Sequence, residues 1–128
     1  YSGMPFLTAY SGSKAALAIM TKNIANSLTG HQIRVNALNI GWTDTPAEHD
    51  IQKRVHNKGD DWLEQEESKV PFKRLTKTID VAKGLAFMCS EESGLMTGSV
   101  IDFDQTVNGW HSYSAYETKI LDDSLLGE

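Results

Sequence analysis

In an amphipathic run, Leu17, Met20, Thr21, Ile24 and Leu28 recur at three- or four-residue intervals, the spacing of one helical face. This predicts a helix over residues 8–29, with Thr8 as its cap and Gly30 as its stop. Residues 33–40 are dense in Ile, Val, Leu and Ala and end at Gly41, as in a strand whose two faces are both covered by helices. The stretch from Pro46 to Leu75 is polar and holds two short helical candidates separated by Asn57, Lys58, Gly59 and Asp60. Asp61 and Glu64 have the spacing of a capping box for the second of these. Thr78 caps a third run through Val81, Ala82, Leu85, Ala86 and Met88 to about Ser90, with Asp80 in the first turn where the helix dipole favours it. Residues 99–104 read as a short strand and 105–109 as a turn. The tail, 110–128, carries scattered aromatics and a Leu121, Leu125, Leu126 stripe that either docks as a short helix or frays.

A strand with both faces covered belongs to a parallel sheet of the open α/β kind. Ligands of such sheets lie beyond the carboxyl ends of the strands, which marks residues 40–45. The chain has 128 residues, begins at Tyr1, and is 40% hydrophobic and 23% charged. That is enough for one small domain. Its formal net charge of −5 and the scatter of Lys22, Arg34, Lys53, Arg54, Lys73, Arg74, Lys77 and Lys83 argue against a nucleic-acid partner. No apolar run approaches the ~20 residues of a membrane span, so no membrane partner and a cytoplasmic location are expected. Cys89 stands alone between Met88 and Ser90, which excludes an internal disulfide and predicts a core position. His31, His49, His56 and His111 are too dispersed for a metal site, and no metal is expected.

Chemistry concentrates at the head of the first helix. Tyr10 and Lys14 are four residues apart and so share a helical face. The bland reading of such a pair is a snorkelling lysine packed on a ring. The filling between them points elsewhere: Ser11, Gly12 and Ser13 are small, poor helix formers, and Ala15 and Ala16 keep the next turn slim, as though something must approach the backbone closely. A cation held beside a phenol favours the phenolate. Tyr10 then reads as a proton donor and Lys14 as its tuner.

These residues resemble the active-site helix of the short-chain dehydrogenases/reductases, which carries Tyr-x-x-x-Lys with small residues between. The resemblance continues through Arg34-Val35-Asn36-Ala37-Leu38-Asn39-Ile40-Gly41-Trp42-Thr43-Asp44-Thr45, similar to the family's strand and cofactor loop. It ends with Met96-Thr97-Gly98-Ser99-Val100-Ile101-Asp102-Phe103-Asp104, similar to its last strand. Order and separations both fit, from about residue 5 to 107.

The resemblance implies the C-terminal portion of a Rossmann-like doubly wound parallel sheet, incomplete, with residues 1–109 in the catalytic domain and 110–128 as a tail. It implies an NAD- or NADP-dependent oxidoreductase interconverting a secondary alcohol and a ketone, with a sugar or polyol among the candidate substrates. Tyr10 and Lys14 are the implied catalytic pair, and both belong with Ile40, Gly41, Thr43 and Thr45 to the implied cofactor-binding set. Lys14 also reaches the nicotinamide ribose, Gly41 lets the backbone pass close to the cofactor, Thr43 meets the carboxamide through its backbone, and Thr45 bonds the carboxamide or a phosphate. Ile40 stands where the family usually has proline. Without the resemblance, Thr45 and Pro46 read as an ordinary loop pair, and Trp42 as either a pocket wall or a packed surface ring. The polar 46–75 insertion corresponds to the family's mobile flap over substrate, with Glu64, Glu66 and Glu67 expected as a solvated face. A homo-oligomer, dimer or tetramer, is the implied assembly.

The sequence holds no Gly-x-x-x-Gly-x-Gly or Gly-x-Gly-x-x-Gly turn, and the serine expected about thirteen residues before Tyr10 falls before Tyr1. The chain is therefore expected to be a fragment, inactive by itself. Two alternatives stand beside this reading. One is an epimerase or dehydratase of the related extended family; the other is a truncated, noncatalytic piece that retains the helix for association.

Overall fold

The structure, a computed structural model, describes residues 5–107. The predicted tail, 110–128, lies outside the described residues. A 3-10 turn, Pro5–Leu7, leads into α1, Thr8–Leu28, and a second 3-10 turn, Thr29–His31, ends it. Gln32 then takes a left-handed conformation with φ 57° and returns its N–H to the Thr29 carbonyl. β1 is Ala37–Ile40, β2 Thr43–Asp44, α2 Pro46–Arg54, α3 Trp62–Glu67, β3 Thr76–Lys77, α4 Thr78–Cys89 and β4 Val100–Phe103.

β1 and β4 pair in parallel, Ala37 opposite Val100 through Ile40 opposite Phe103. The connection between them carries α4, making the β-α-β unit expected from the sequence. Both strands are shorter than predicted, and side-chain bonds join the two segments before their amino ends. Asn36 donates to the Met96 carbonyl at 2.8 Å and accepts from Ser99 N–H at 3.0 Å, while Thr97 Oγ1 accepts from Val35 N–H. β2 and β3, two residues each and unforeseen, form a second parallel pair with Thr43 opposite Thr76 and Asp44 opposite Lys77.

Gly84 sets the distance between α4 and the sheet. A Cβ there would lie 3.1 Å from Leu38 Cδ1 and 3.3 Å from Phe103 Cε2, so the helix seats directly on that face. The opposite face carries a cross-strand polar pair, Asn39 Nδ2 donating to Asp102 Oδ1 at 2.8 Å, where an apolar face covered by helices was expected. Arg34 ties the end of α4 to the segment leading into β1, donating to the carbonyls of Met88 and Ser90 and to Ser93 Oγ.

The core differs from the expected one. Of the periodic residues of α1 only Thr21 is buried, together with Ala25, whereas Leu17, Met20 and Ile24 are exposed. Ala25 meets the slim flank of Gly98, on which a Cβ would stand 3.5 Å away. Cys89 is exposed rather than buried. Successive helical residues diverge by about 100°, and α4 turns Met88 inward.

The caps also depart from expectation. Thr8 and Thr78 are first helical residues rather than caps. The Thr8 hydroxyl donates to the Pro5 carbonyl at 2.6 Å, and Asp80 accepts the Lys77 N–H at 2.9 Å. Asp61 makes no cap bond, because its carboxylate is taken by the Gln65 amide at 2.7 Å.

Candidate active site

α1 presents Tyr10 and Lys14 together. The Lys14 ammonium stands over the phenol, 5.4 Å from the ring centroid, within the range of a cation–π contact. The phenol is 59% exposed. Among the described residues neither side chain has a hydrogen-bond or ion-pair partner, and Ser13 between them folds its hydroxyl back to the Tyr10 carbonyl at 2.7 Å. A phenol and an ammonium are thus adjacent on one helical face with their donors available.

A second group of predicted residues sits where β1 ends. Gly41 N–H donates to the Phe103 carbonyl at 3.1 Å, extending the ladder past Ile40. Thr43 Oγ1 donates to the Gly41 carbonyl at 2.9 Å and so tightens the turn. Thr45 is the N-cap of α2, its hydroxyl oxygen accepting from Glu48 N–H at 3.1 Å, with Pro46 at the first helical position. The Thr45 hydroxyl proton stays available to an outside acceptor. Trp42 is a packed ring: it lies 6.2 Å from Trp62 at 30°, donates its indole N–H to Glu48 at 2.8 Å, and has Lys58 over its face at 5.9 Å. No hydrogen bond joins this loop to Tyr10 or Lys14 among the described residues.

One polar cluster escaped the sequence reading. Lys77 donates to Asp44 at 2.9 Å and to Glu67 at 2.6 Å. Asp44 also meets His49 Nε2 at 2.8 Å, and His49 Nδ1 meets the indole N–H of Trp62 at 3.1 Å. The bond from Lys77 holds Asp44 below its ordinary carboxylate range, with His49 adding to the effect against a partial desolvation. Glu67 is lowered by Lys77 and by the Leu75 N–H. Lys77 is raised: partial burial works against its charge, but Glu67 and Asp44 outweigh it. Glu66 is likewise held low, by Lys58 first and then Lys69. Glu66 and Glu67 are therefore partnered and mostly covered, at 16% and 21% side-chain exposure, not the free solvated face expected. The deciding signal, Asp44 opposite Lys77 in register, is invisible until the strands are paired.

The profile of the family described as enoyl-(acyl carrier protein) reductase matches residues 1–108. The chain belongs to the short-chain dehydrogenase/reductase family. It is 36% identical over 102 residues to a 3-oxoacyl-(acyl-carrier-protein) reductase of Thermotoga maritima, covering 80% of this chain and 39% of that protein. A short-chain dehydrogenase family protein of Francisella tularensis superposes with a TM-score of 0.70 at 36% identity, over 82% of this chain and 45% of that one. L-sorbose reductase from Gluconobacter frateurii, solved with NADPH and L-sorbose, gives 0.71 at 28% identity, over 81% and 41%. The chain spans about two fifths of the length of these relatives.

As a short-chain dehydrogenase/reductase chain, it has the Rossmann-like α/β architecture expected, of which the described residues form part. Among them no helix is long and apolar enough to cross a membrane, and no three His, Cys, Asp or Glu side chains gather as a metal-holding group. A cavity of about 260 Å³ opens at the carboxyl end of β4, lined by Phe72, Arg74, Thr76, Asp102, Phe103 and Gln105 among others. Gln105, in its lining, bonds the backbone of the 46–75 segment, accepting from Phe72 N–H at 3.0 Å and donating to the Arg74 carbonyl at 2.9 Å.

Proposed function

We propose that this chain supplies the proton-transfer part of an NAD(P)-dependent reductase that interconverts a secondary alcohol and a ketone, sugars and polyols being candidate substrates. The observation that carries the reading is the adjacency of the Tyr10 phenol and the Lys14 ammonium on an exposed helical face. The named relatives support it: one is a reductase of a 3-oxoacyl group and another was solved with NADPH and a ketose.

A bound nicotinamide supplies hydride. Reduction of a carbonyl leaves negative charge on oxygen, so the site must deliver a proton there. Tyr10 delivers it from its hydroxyl. Lys14 favours the resulting phenolate and offers its remaining N–H groups to a ribose. The donor set fits such a group, because both side chains are exposed and neither is spent on a partner within the described residues. Ile40, Gly41, Thr43 and Thr45 form the loop that would bear the nicotinamide, Thr45 through its unspent hydroxyl proton. Exposed Leu17, Ile19, Met20 and Ile24 on α1 support association into a homo-oligomer.

The test is Tyr10→Phe in the full-length protein, assayed by cofactor oxidation against a panel of ketones. Turnover is expected to fall by about 10²–10⁴-fold, the usual worth of a positioned general acid, with NADPH or NADH affinity mostly retained. Unchanged turnover removes Tyr10 from this role.

A further inference from the structure

His49 holds a closed circuit of hydrogen bonds together. α3 contributes both ends: Trp62 at its start donates to His49 on α2, and Glu67 at its last residue accepts from Lys77 on β3. Asp44 on β2 joins the halves, meeting His49 on one carboxylate oxygen and Lys77 on the other. The circuit therefore ties α2, α3 and β3 to the single residue that lies between Thr43 and Thr45. Trp62 is buried, and its ring meets His49 edge-on at 4.9 Å and 75°.

The chemistry of the partners fixes the state of the imidazole. An indole N–H only donates, so His49 Nδ1 must carry a bare lone pair. A carboxylate only accepts, so Nε2 must carry the proton. Only the neutral Nε2–H form satisfies both neighbours; a proton on Nδ1 would face the buried indole N–H.

We propose that His49, in this one tautomer, is a positioning residue that holds Asp44, and through it the Thr43–Thr45 backbone, in register with the flap for binding the nicotinamide cofactor. The inference rests on the reductase reading of the same loop. His49 touches neither substrate nor cofactor; it acts through Asp44.

Long-range 1H–15N NMR of the histidine-labelled full-length protein near neutral pH tests the tautomer directly. A bare Nδ1 and a protonated Nε2 are expected for His49, with loss of that single form in Trp62→Phe. A proton on Nδ1 overturns the proposal. Titration with NADPH and NADH then tests the coupling: His49→Phe, which keeps an aromatic ring but removes both bonds, is expected to weaken binding by roughly five- to tenfold, the equivalent of one hydrogen bond. Unchanged affinity overturns it. Should His49→Phe fail to fold, Lys77→Met opens the circuit from its other side and is expected to weaken binding to a similar degree. The unmutated full-length protein separates this idea from the reaction: no cofactor oxidation with any ketone sinks the reductase reading and leaves the tautomer result standing, whereas turnover with unaltered His49→Phe affinity sinks only the positioning role.

Discussion

Asp104 packs its side chain against the bare flank of Gly41, so that a Cβ on Gly41 would lie 3.0 Å from Asp104 Cβ and closer still to its carboxylate. The two residues follow β1 and β4 at the same end of the sheet. Gly41 is therefore required by its own neighbour, quite apart from any cofactor. The Asp104 carboxylate in turn accepts from Gln105 N–H at 2.7 Å and from the Thr106 hydroxyl, organising the turn whose Gln105 amide reaches the backbone of Phe72 and Arg74.

Gly41→Ala should accordingly displace Asp104 rather than merely crowd it. Destabilisation by about 1–3 kcal/mol is expected, the range for overpacking, read from urea denaturation of the full-length protein. Adding Asp104→Gly to Gly41→Ala should recover much of that loss, because the two residues share one contact. Simple additivity would show that the clash is not the cause.

Most of this fold was legible where a pattern is local. The lengths of α1 and α4, the β-α-β order and the Tyr10/Lys14 face all follow from periodicity and spacing, and the structure places them so. What was not legible depends on contacts between distant segments. Leu17, Met20 and Ile24 form a proper helical stripe, yet the buried side is the narrow one of Thr21 and Ala25, chosen by the close approach of Gly98. Asp44, His49, Trp62, Glu67 and Lys77 are unremarkable singly; their union depends on β2–β3 register and on how α2 meets α3. In the loop the individual residues stood out, but not that Thr45 would spend its oxygen on α2 and Gly41 its flank on Asp104.

Gly84 offers a contest of known magnitudes. Alanine gains about 1 kcal/mol over glycine inside a helix, against contacts of 3.1 Å to Leu38 and 3.3 Å to Phe103 that must widen by a few tenths of an ångström. Both neighbours are side-chain ends that can shift, so Gly84→Ala should be near neutral. Gly84→Val adds two further methyl groups between helix and sheet and should destabilise by about 1–3 kcal/mol. Thermal or urea melts of the two variants side by side would check the order; a valine variant as stable as alanine would mean that α4 does not seat on β1 and β4 through this residue.

Acid should loosen the junction between the 46–75 segment and α4. The Arg74 guanidinium, with the Lys77 N–H, lowers Asp80 from 3.8 to about 2. A carboxylate depressed in the folded state stabilises it above the unfolded value and loses that contribution as pH falls through the folded value. The window for Asp80 thus runs from about pH 4 to about pH 2, and Asp44 and Glu67, also depressed, act in the same direction. Arg74→Met should raise the midpoint of acid unfolding followed by circular dichroism. High salt should narrow the difference, because the Arg74 side of the pair is half exposed to solvent. An unmoved acid midpoint would remove the ion pair from the list of stabilising contacts.

The 128-residue chain by itself should be poorly stable. Its buried apolar side chains among the described residues are Ala25, Trp62, Leu75 and Met88, while Phe6, Leu17, Ile19, Met20, Ile24, Leu85 and Phe87 are each at least 43% exposed. The hydrophobic gain on folding scales with area removed from water, and ordering each residue costs about 1–2 kcal/mol of backbone entropy. With so few apolar side chains fully withdrawn, the balance leaves little for a cooperative fold, and the exposed faces of α1 and α4 favour association. Thermal circular dichroism should show a broad, shallow transition, sedimentation should show concentration-dependent oligomers, and cofactor oxidation should be absent. A sharp, concentration-independent melt of a monomer that also turns over would contradict all three, and would mean that these exposed side chains are compatible with an independent, working domain.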